Sequence, residues 1–384
     1  MGKRMIYLDN AATTLVKPAF VYDSVIEAAR AFSNMGRGAS RMSIKTSQAA
    51  YDARAELAGL FHIENPLQIG FTKNATEALN VGMYGLLQEG DHVVTTVCEH
   101  NSVLRPLFRM KEDKHVEFSL VACGPNGDIS PQDIRKAVRK DTRMIVMTHV
   151  SNVTGTIFDI EEIGHIAKDC GAVFFLDTTQ SAGVWGIDVN TANIDMLAFT
   201  GHKYLFSLQG IGGLYVRAGM KLKPLLLGGS TSESAELTPK PDMPELTEAG
   251  TQNMPGIWSL KKSVEFIRQN IKTIQAKEEE LTEYFLLRIK EISFVQVLGR
   301  QTAQNRSALF SLISKDYDLH EMADFLEEHY GIVVRVGLHC APLIHTYIGS
   351  EKAGTLRVSM SYFNERSDID ILIDGLKDFK RHQG

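Results

Sequence analysis

Lys203, which ends the run "LAFTGHK", stands directly behind Thr200, Gly201 and His202, and a glycine-rich return, "GIGGLYV", follows. An amine flanked by hydroxyl and imidazole donors suits a Schiff base formed beside a phosphate. A lone loop lysine is more often a solvated surface group, so this one needs company. Upstream, "VFFLDTTQ" ends a second apolar run in Asp177, with Gln180 three residues on. A carboxylate at the C-terminal end of a buried parallel strand sits where open α/β sheets bind ligands. There it can pair with a ring nitrogen and keep it protonated; taken singly, it reads equally well as a helix cap.

Three more run ends add to the pattern. In "FTKNATEALN", Ala75 and Thr76 open a helix whose first N–H groups and positive dipole end suit a phosphate. "TTVCEHNSV" places His100 beyond a strand, and "THVSNVTGT" places Asn152 in the same situation. Each alone is an ordinary loop polar group. Five such ends converging on one face are harder to dismiss.

A thiol raises a separate question. Cys340 sits in "VVRVGLHCAPLIH", after an apolar run and before a proline. A free cysteine is usually buried filler. Here Arg335, His339 and Arg357 lie close in sequence, and a short proline-containing loop favours an exposed, charge-stabilised thiolate. Cys98, Cys123 and Cys170 lack such surroundings and read as structural. The four share no CxxC spacing, so neither a zinc cage nor a disulfide framework is expected.

These groups need elements to position them. Short apolar runs occur at 67–72, 92–97, 116–121, 144–150, 172–177, 196–201 and 212–216, with helical patterns at 76–88, 130–140 and 159–171. Continuous apolar strands alternating with helices predict a mostly parallel sheet covered on both faces. Ser130-Pro131 is a helix start and Gly171 a stop. Residues 230–250, polar with three prolines, predict a long loop or an exposed hairpin. A helical pattern over 256–291 bridges to a second lobe, with strands in "VQVLG", "ALFSLI", "VVRVG" and "TLRVSMS" and helices at "DLHEMADFLEEHYG" and 366–380.

Bulk properties narrow the class. At 384 residues the chain exceeds one ordinary domain. A net charge of -5 gives no reason to expect a nucleic-acid partner. No stretch approaches a membrane span or a signal-peptide core, so a cytoplasmic protein with free thiols is expected. No GxGxxG or P-loop follows the first strand, which argues against a simple nucleotide-binding module. No metal site is expected.

With "YLDNAATT" near the N-terminus and "RVGLHCAP" near the C-terminus, the sequence resembles enzymes of the class V aminotransferase fold, which use pyridoxal 5'-phosphate (PLP). Within them it resembles the cysteine desulfurases, on the type II branch that also holds selenocysteine lyases. The resemblance runs from about Tyr7 to Arg357. It implies an α/β architecture, the PLP-dependent transferase fold type I. A large domain, residues 16–262, would carry a mainly parallel seven-stranded sheet. A smaller α+β domain, residues 1–15 and 263–384, would carry the cysteine loop.

The resemblance also implies roles. Lys203 would hold PLP and act as the base, Asp177 would pair with the pyridine nitrogen, and Gln180 would contact the ring hydroxyl. His100 would stack on the ring and shuttle a proton. Ala75, Thr76, Thr200 and His202 would bind the phosphate, and Thr251 would reach the phosphate of a neighbouring subunit in a homodimer. Asn152 and Arg357 would hold the substrate carboxylate, with Arg335 close to Cys340. The implied reaction converts L-cysteine to L-alanine and leaves sulfur on Cys340 as a persulfide. An acceptor protein or thiol would take it, as in iron–sulfur cluster assembly. The alternatives are a selenocysteine lyase acting on L-selenocysteine, or another class V activity such as a transaminase or epimerase. Two positions depart from the pattern: Asn74-Ala75-Thr76 lacks a second adjacent threonine, and Leu338 stands where type II enzymes often have histidine. His345 receives no role.

Overall fold

All seven apolar runs become strands of one sheet. The computed structural model describes residues 4–35, 40–229, 237 and 242–383. Across the sheet the order is Ile69–Thr72, Gly212–Val216, Met196–Thr200, Val173–Asp177, Thr142–Thr148, His92–Thr96 and Glu117–Val121. Gly212–Val216 is antiparallel to both neighbours, and every pairing from Met196–Thr200 to Glu117–Val121 is parallel. Side chains alternate between the faces of a strand, so a sheet covered on both faces must be apolar throughout. Met147, Phe174, Leu176, Leu197 and Phe199 enter one core; Met144, Val146, Phe175, Met196 and Ala198 enter the other.

Helices Ala75–Leu86, Pro131–Ala137 and Ile160–Cys170 match the expected helical patterns. Ser130 precedes the second, and Gly171 ends the third in the left-handed conformation, φ 72°. Helix Ala75–Leu86 can lie close on the sheet because Gly82 faces Phe175. A Cβ at Gly82 would stand 2.4 Å from that ring. This contact fixes the height of the helix N-terminus above the strand ends.

Helix Met254–Arg288 joins the two lobes and is continuous through residues 262 and 263. Its early residues, including Ile257, Leu260, Val264 and Ile267, belong to the large core, and Leu281, Phe285 and Leu286 to the second. Between them Glu278 is fully buried and accepts from Ser307 Oγ (2.9 Å) and Ala308 N (3.0 Å). Burial pushes its carboxyl up to about 7. The second lobe has a four-stranded sheet in the order Arg335–Gly337, Thr355–Ser359, Leu309–Ile313 and Gln296–Val297, with helices Leu319–Tyr330 and Arg366–Gln383. Ile6–Tyr7 pairs with Ile332–Val333. No helix among the described residues is long and apolar enough to cross a membrane.

Of the expected 230–250 loop, residues 230–236 and 238–241 lie outside the described residues; 242–250 form turns. Buried Glu248 anchors those turns. Arg54 Nη2 donates to both of its oxygens (2.5 and 2.6 Å), Arg54 Nε to Ile69 O (2.9 Å), and Phe71 N to Glu248 Oε1 (2.9 Å). The pair ties helix Arg41–Phe61 to the edge strand Ile69–Thr72. Removing one partner strands the other as a buried charge, a loss of about 3–5 kcal/mol. Arg54→Met is therefore expected to lower the midpoint of chemical unfolding, and Arg54→Met with Glu248→Gln to recover much of the loss. A single variant as stable as the wild type would show that the pair does not hold this edge.

Candidate active site

The expected residues Lys203, Cys340, His100, Asp177, Gln180, Ala75, Thr76, Thr200, His202, Asn152, Arg335 and Arg357 all line one cavity of about 240 Å³. It opens at the C-terminal edge of the parallel strands, where backbone ends and loops can turn polar without disturbing the sheet. Thr251 does not line it. Thr251 is exposed and sits in a separate surface pocket with Asn34, Gly229 and Glu248.

One end of the cavity is built for an anion. Ala75 and Thr76 are the first residues of helix Ala75–Leu86, and the Asn74 side chain accepts from Glu77 N (3.0 Å). The N–H groups ahead of Glu77 have no partner within the helix. Thr200 Oγ1 and His202 Nδ1 are buried without a hydrogen-bond partner among the described residues. Gly212 lets its strand pass this turn: a Cβ there would lie 2.9 Å from the Asn74 backbone. A phosphate would satisfy these orphaned groups, so the residues fit the phosphate end of PLP.

The middle of the cavity suits a ring. Asp177, the last residue of its strand, is 3% exposed. Its Oδ1 accepts from Thr179 N (2.9 Å) and from the Thr179 hydroxyl. Burial raises its carboxyl, against the Thr179 hydrogen bonds and the Lys203 charge. A cation facing Asp177 would relieve that burial, which is the role a protonated ring nitrogen fills. Gln180 Nε2 donates to Ala11 O (3.1 Å), and its Oε1 is buried without a partner. His100 caps helix Asn101–Lys114, its Nδ1 accepting from Ser102 N (3.0 Å), so Nε2 keeps the ring proton. Burial and the nearby cations push His100 down to about 4, and burial with Lys203 and Lys17 does the same to His202. Both rings are neutral at physiological pH.

Lys203 is shifted in the useful direction. Burial, then the Arg357 charge, pushes its ammonium down to about 8, with Asp177 opposing. Roughly a quarter of the amine is then neutral at pH 7.5, against about 0.1% for an ordinary lysine. The neutral form is the one that attacks an aldehyde, and its population grows as pH rises. Capture of PLP by the apo-protein, followed by absorbance, is therefore expected to speed up through about pH 8 and level off above it. A rate still climbing through pH 10 would show an unshifted lysine.

At the other end, Arg335 and Arg357 are directly paired on adjacent antiparallel strands. Like charges at facing positions destabilise a sheet, which makes this pair a mark of function. Arg357, 1% exposed, donates from Nη2 to Asp9 Oδ1 (2.7 Å) and from Nη1 to Asn152 O (3.1 Å), and its Nε has no partner. No carboxylate among the described residues lies within ion-pair distance of Arg335. Lys203, Arg335 and Arg357 against Asp177 leave the cavity with excess positive charge suited to an anionic substrate.

Cys340 lies on the turn between strand Arg335–Gly337 and helix Ile344–Ile348 and is exposed. It borders both the cavity and an outer groove lined by Tyr84, Arg105 and Arg109. His339 and Cys340 have φ of 50° and 58°, the left-handed region, which costs roughly 1–2 kcal/mol at each non-glycine residue. Hydrogen bonds offset that strain: Asn152 Nδ2 donates to His339 O (2.7 Å) and Asn101 N to Cys340 O (2.7 Å). Asn152, expected at a substrate carboxylate, thus has its amide nitrogen engaged by this turn. Of the other cysteines, Cys98 and Cys123 are buried, and exposed Cys170 does not line the cavity.

Several contributors escaped the sequence reading. Asp9 is the counter-ion of Arg357 from 348 positions away. Asn101 holds the thiol turn through its backbone, which leaves no trace in sequence. Thr179 was within reach, since a hydroxyl two residues after an aspartate commonly closes a local turn.

Comparison with known proteins agrees with this geometry. The family model for aminotransferase class-V matches residues 6–372. The chain is 34% identical to a probable cysteine desulfurase of Methanothermobacter thermautotrophicus, over 97% of this chain and 94% of that one. The apo structure of cysteine desulfurase from Thermococcus onnurineus NA1 superposes with a TM-score of 0.92 at 30% identity, covering 98% of this chain and 95% of that one. The cysteine desulfurase CsdA from Escherichia coli gives 0.87 at 25% identity, covering 98% and 94%. With a family match across nearly its whole length and relatives covered over nearly their whole length, the chain belongs to the PLP-dependent class V aminotransferase family, in its cysteine desulfurase group.

Proposed function

We propose that the protein is a cysteine desulfurase that converts L-cysteine to L-alanine and holds the sulfur on Cys340 for transfer to an acceptor. The observation that supports this most directly is a thiol, Cys340, lining the same cavity as Lys203, Asp177 and two arginines. A transaminase needs the lysine and the arginines but has no use for an exposed cysteine between cavity and surface.

Bound PLP would supply an electron sink for charge developing at the substrate Cα; Lys203, Asp177, Gln180, Thr200, His202 and the N-terminus of helix Ala75–Leu86 would hold it. Asp177 would keep a proton on the ring nitrogen. Arg335, with no counter-ion among the described residues, and the unpaired Arg357 Nε receive the substrate carboxylate. That anchor turns the substrate Cα toward Lys203, whose lowered basicity lets it take the proton as a neutral amine. The Cys340 thiolate attacks the substrate sulfur, forming an S–S bond as the Cβ–S bond breaks. The bonding pair passes to carbon, a proton joins it, and alanine leaves with Cys340 as persulfide. His100, neutral with its proton on Nε2, is placed to carry protons between substrate and solvent.

In this proposal the lobes divide at residues 16–262 and 1–15 with 263–384, and the working unit is a homodimer whose Thr251 serves the partner's site. The exposed face of Cys340 in the outer groove serves the acceptor. Alanine release from L-cysteine with a reductant present tests the reaction. Turnover is expected with the PLP-loaded protein. Its absence, with cofactor bound, would move the assignment to another class V reaction.

A further inference from the structure

His345 lies five residues beyond the nucleophile, does not line the cavity, and is fully buried. Its Nε2 lies 3.1 Å from Leu338 O and its Nδ1 2.7 Å from Ser350 Oγ. A carbonyl only accepts, so Nε2 carries a proton, and in the neutral ring the Ser350 hydroxyl donates to Nδ1. That form has one tautomer and is pinned at both nitrogens. Burial favours the same neutral form.

Three successive carbonyls of the nucleophile turn are each held by a different element. Leu338 O takes His345 Nε2 and Ala341 N (2.9 Å), His339 O takes Asn152 Nδ2, and Cys340 O takes Asn101 N. Asn152 lies in the loop after strand Thr142–Thr148, and Asn101 opens helix Asn101–Lys114. His345 lies on helix Ile344–Ile348, which follows the turn in sequence. Between these supports sit the two left-handed residues, His339 and Cys340. A left-handed pair of side-chain-bearing residues persists only where its surroundings over-determine it.

We propose that His345 is a positioning residue for the nucleophile: by holding the Leu338 carbonyl it keeps the His339–Cys340 turn left-handed and the Cys340 sulfur aimed into the cavity. The inference rests on the desulfurase reading, but its test does not depend on it alone. In His345→Phe the ring volume stays and the donor is lost. PLP absorption and the L-cysteine concentration that half-saturates the spectral change are expected to stay within about twofold. Alanine formation should fall by up to roughly 100-fold, the scale of an ångström-sized misplacement. His345→Gln puts an amide N–H where Nε2 stood and is expected to restore the rate to within a few-fold.

Normal turnover in His345→Phe, or a glutamine variant as slow as the phenylalanine one, would overturn the assignment. If His345→Phe does not fold, Ser350→Ala removes only the hydroxyl that sets the tautomer. It should slow alanine formation several-fold with unchanged spectral binding; an unchanged rate counts against the proposal. Iodoacetamide labelling of the Cys340 peptide, followed by mass spectrometry, reads the turn without turnover. A labelling rate altered in His345→Phe and restored in His345→Gln supports the role even if the wild type forms no alanine. An unaltered rate refutes it, whatever the reaction is.

Discussion

Lys203→Ala is expected to lower alanine formation from L-cysteine by ~10⁴-fold and to abolish the visible absorption of the lysine-linked cofactor. Two losses combine in one residue. The covalent anchor of the cofactor disappears, and so does the one strong neutral base in the cavity. His100 and His202, pushed down to about 4, are far weaker bases and cannot take over proton removal from carbon. Folding should survive, because Lys203 makes no ion pair among the described residues and the cavity side of its loop stays polar. PLP should still bind non-covalently through the helix Ala75–Leu86 N-terminus, Thr200, His202 and Asp177. Dialysis should then strip the cofactor from the variant while the wild type keeps it. Activity above about 1% of wild type in the variant would mean that another group does the proton transfer.

Cys340→Ala is expected to separate sulfur transfer from everything before it. The side chain is exposed and packs little, so stability should stay within about 0.5 kcal/mol. Alanine tolerates the left-handed conformation no worse than cysteine does. Cofactor colour and the spectral response to L-cysteine should match the wild type, since Lys203, Asp177 and the arginines are untouched. Alanine formation should drop more than ~10³-fold, the scale on which losing a covalent nucleophile acts. No other cysteine lines the cavity to substitute. Alanine produced at the wild-type rate would remove the persulfide from the mechanism and favour a lyase, in which the β-substituent leaves without a protein thiol.

Between these two variants lies the division of labour that the fold imposes. Lys203 and Asp177 stand on ends of adjacent parallel strands, Met196–Thr200 and Val173–Asp177, in the large lobe. Arg335 and Arg357 come from the other lobe's sheet, and Cys340 from the turn that follows strand Arg335–Gly337. In the proposed reaction the proton chemistry would rest on one lobe and the sulfur chemistry on the other, and the cavity is where they would meet.

Much of the large lobe was legible in sequence because its signals are local. Strands buried on both faces are mostly apolar, so seven short runs predicted seven strands. Ser130-Pro131 and Gly171 marked helix ends through backbone requirements that neighbouring residues do not alter. Helix Asn101–Lys114 was not read, since Pro106 inside it breaks the expected pattern. Packing of Val103, Leu107 and Met110 against the sheet outweighs the lost hydrogen bond. The site residues Lys203, Asp177, Ala75, Thr76, His100 and Asn152 were legible for the same local reason, each standing just past a strand.

Sequence by itself therefore determined the parallel sheet, the polar strand ends and, through residue types, the cofactor chemistry they can support. Only the tertiary structure decided that Cys340 lines one cavity with Lys203 and that Arg357 is balanced by Asp9. The same holds for the facing of Arg335 and Arg357, and for the Asn152, Asn101 and His345 donors on the nucleophile turn. The physical reason is the acceptor. Three of these contacts end on backbone carbonyls, which every residue has, and the others join residues whose spacing follows no helix or strand period. Neither kind leaves a pattern of residue types to read; both exist only once distant strands, turns and loops have packed together.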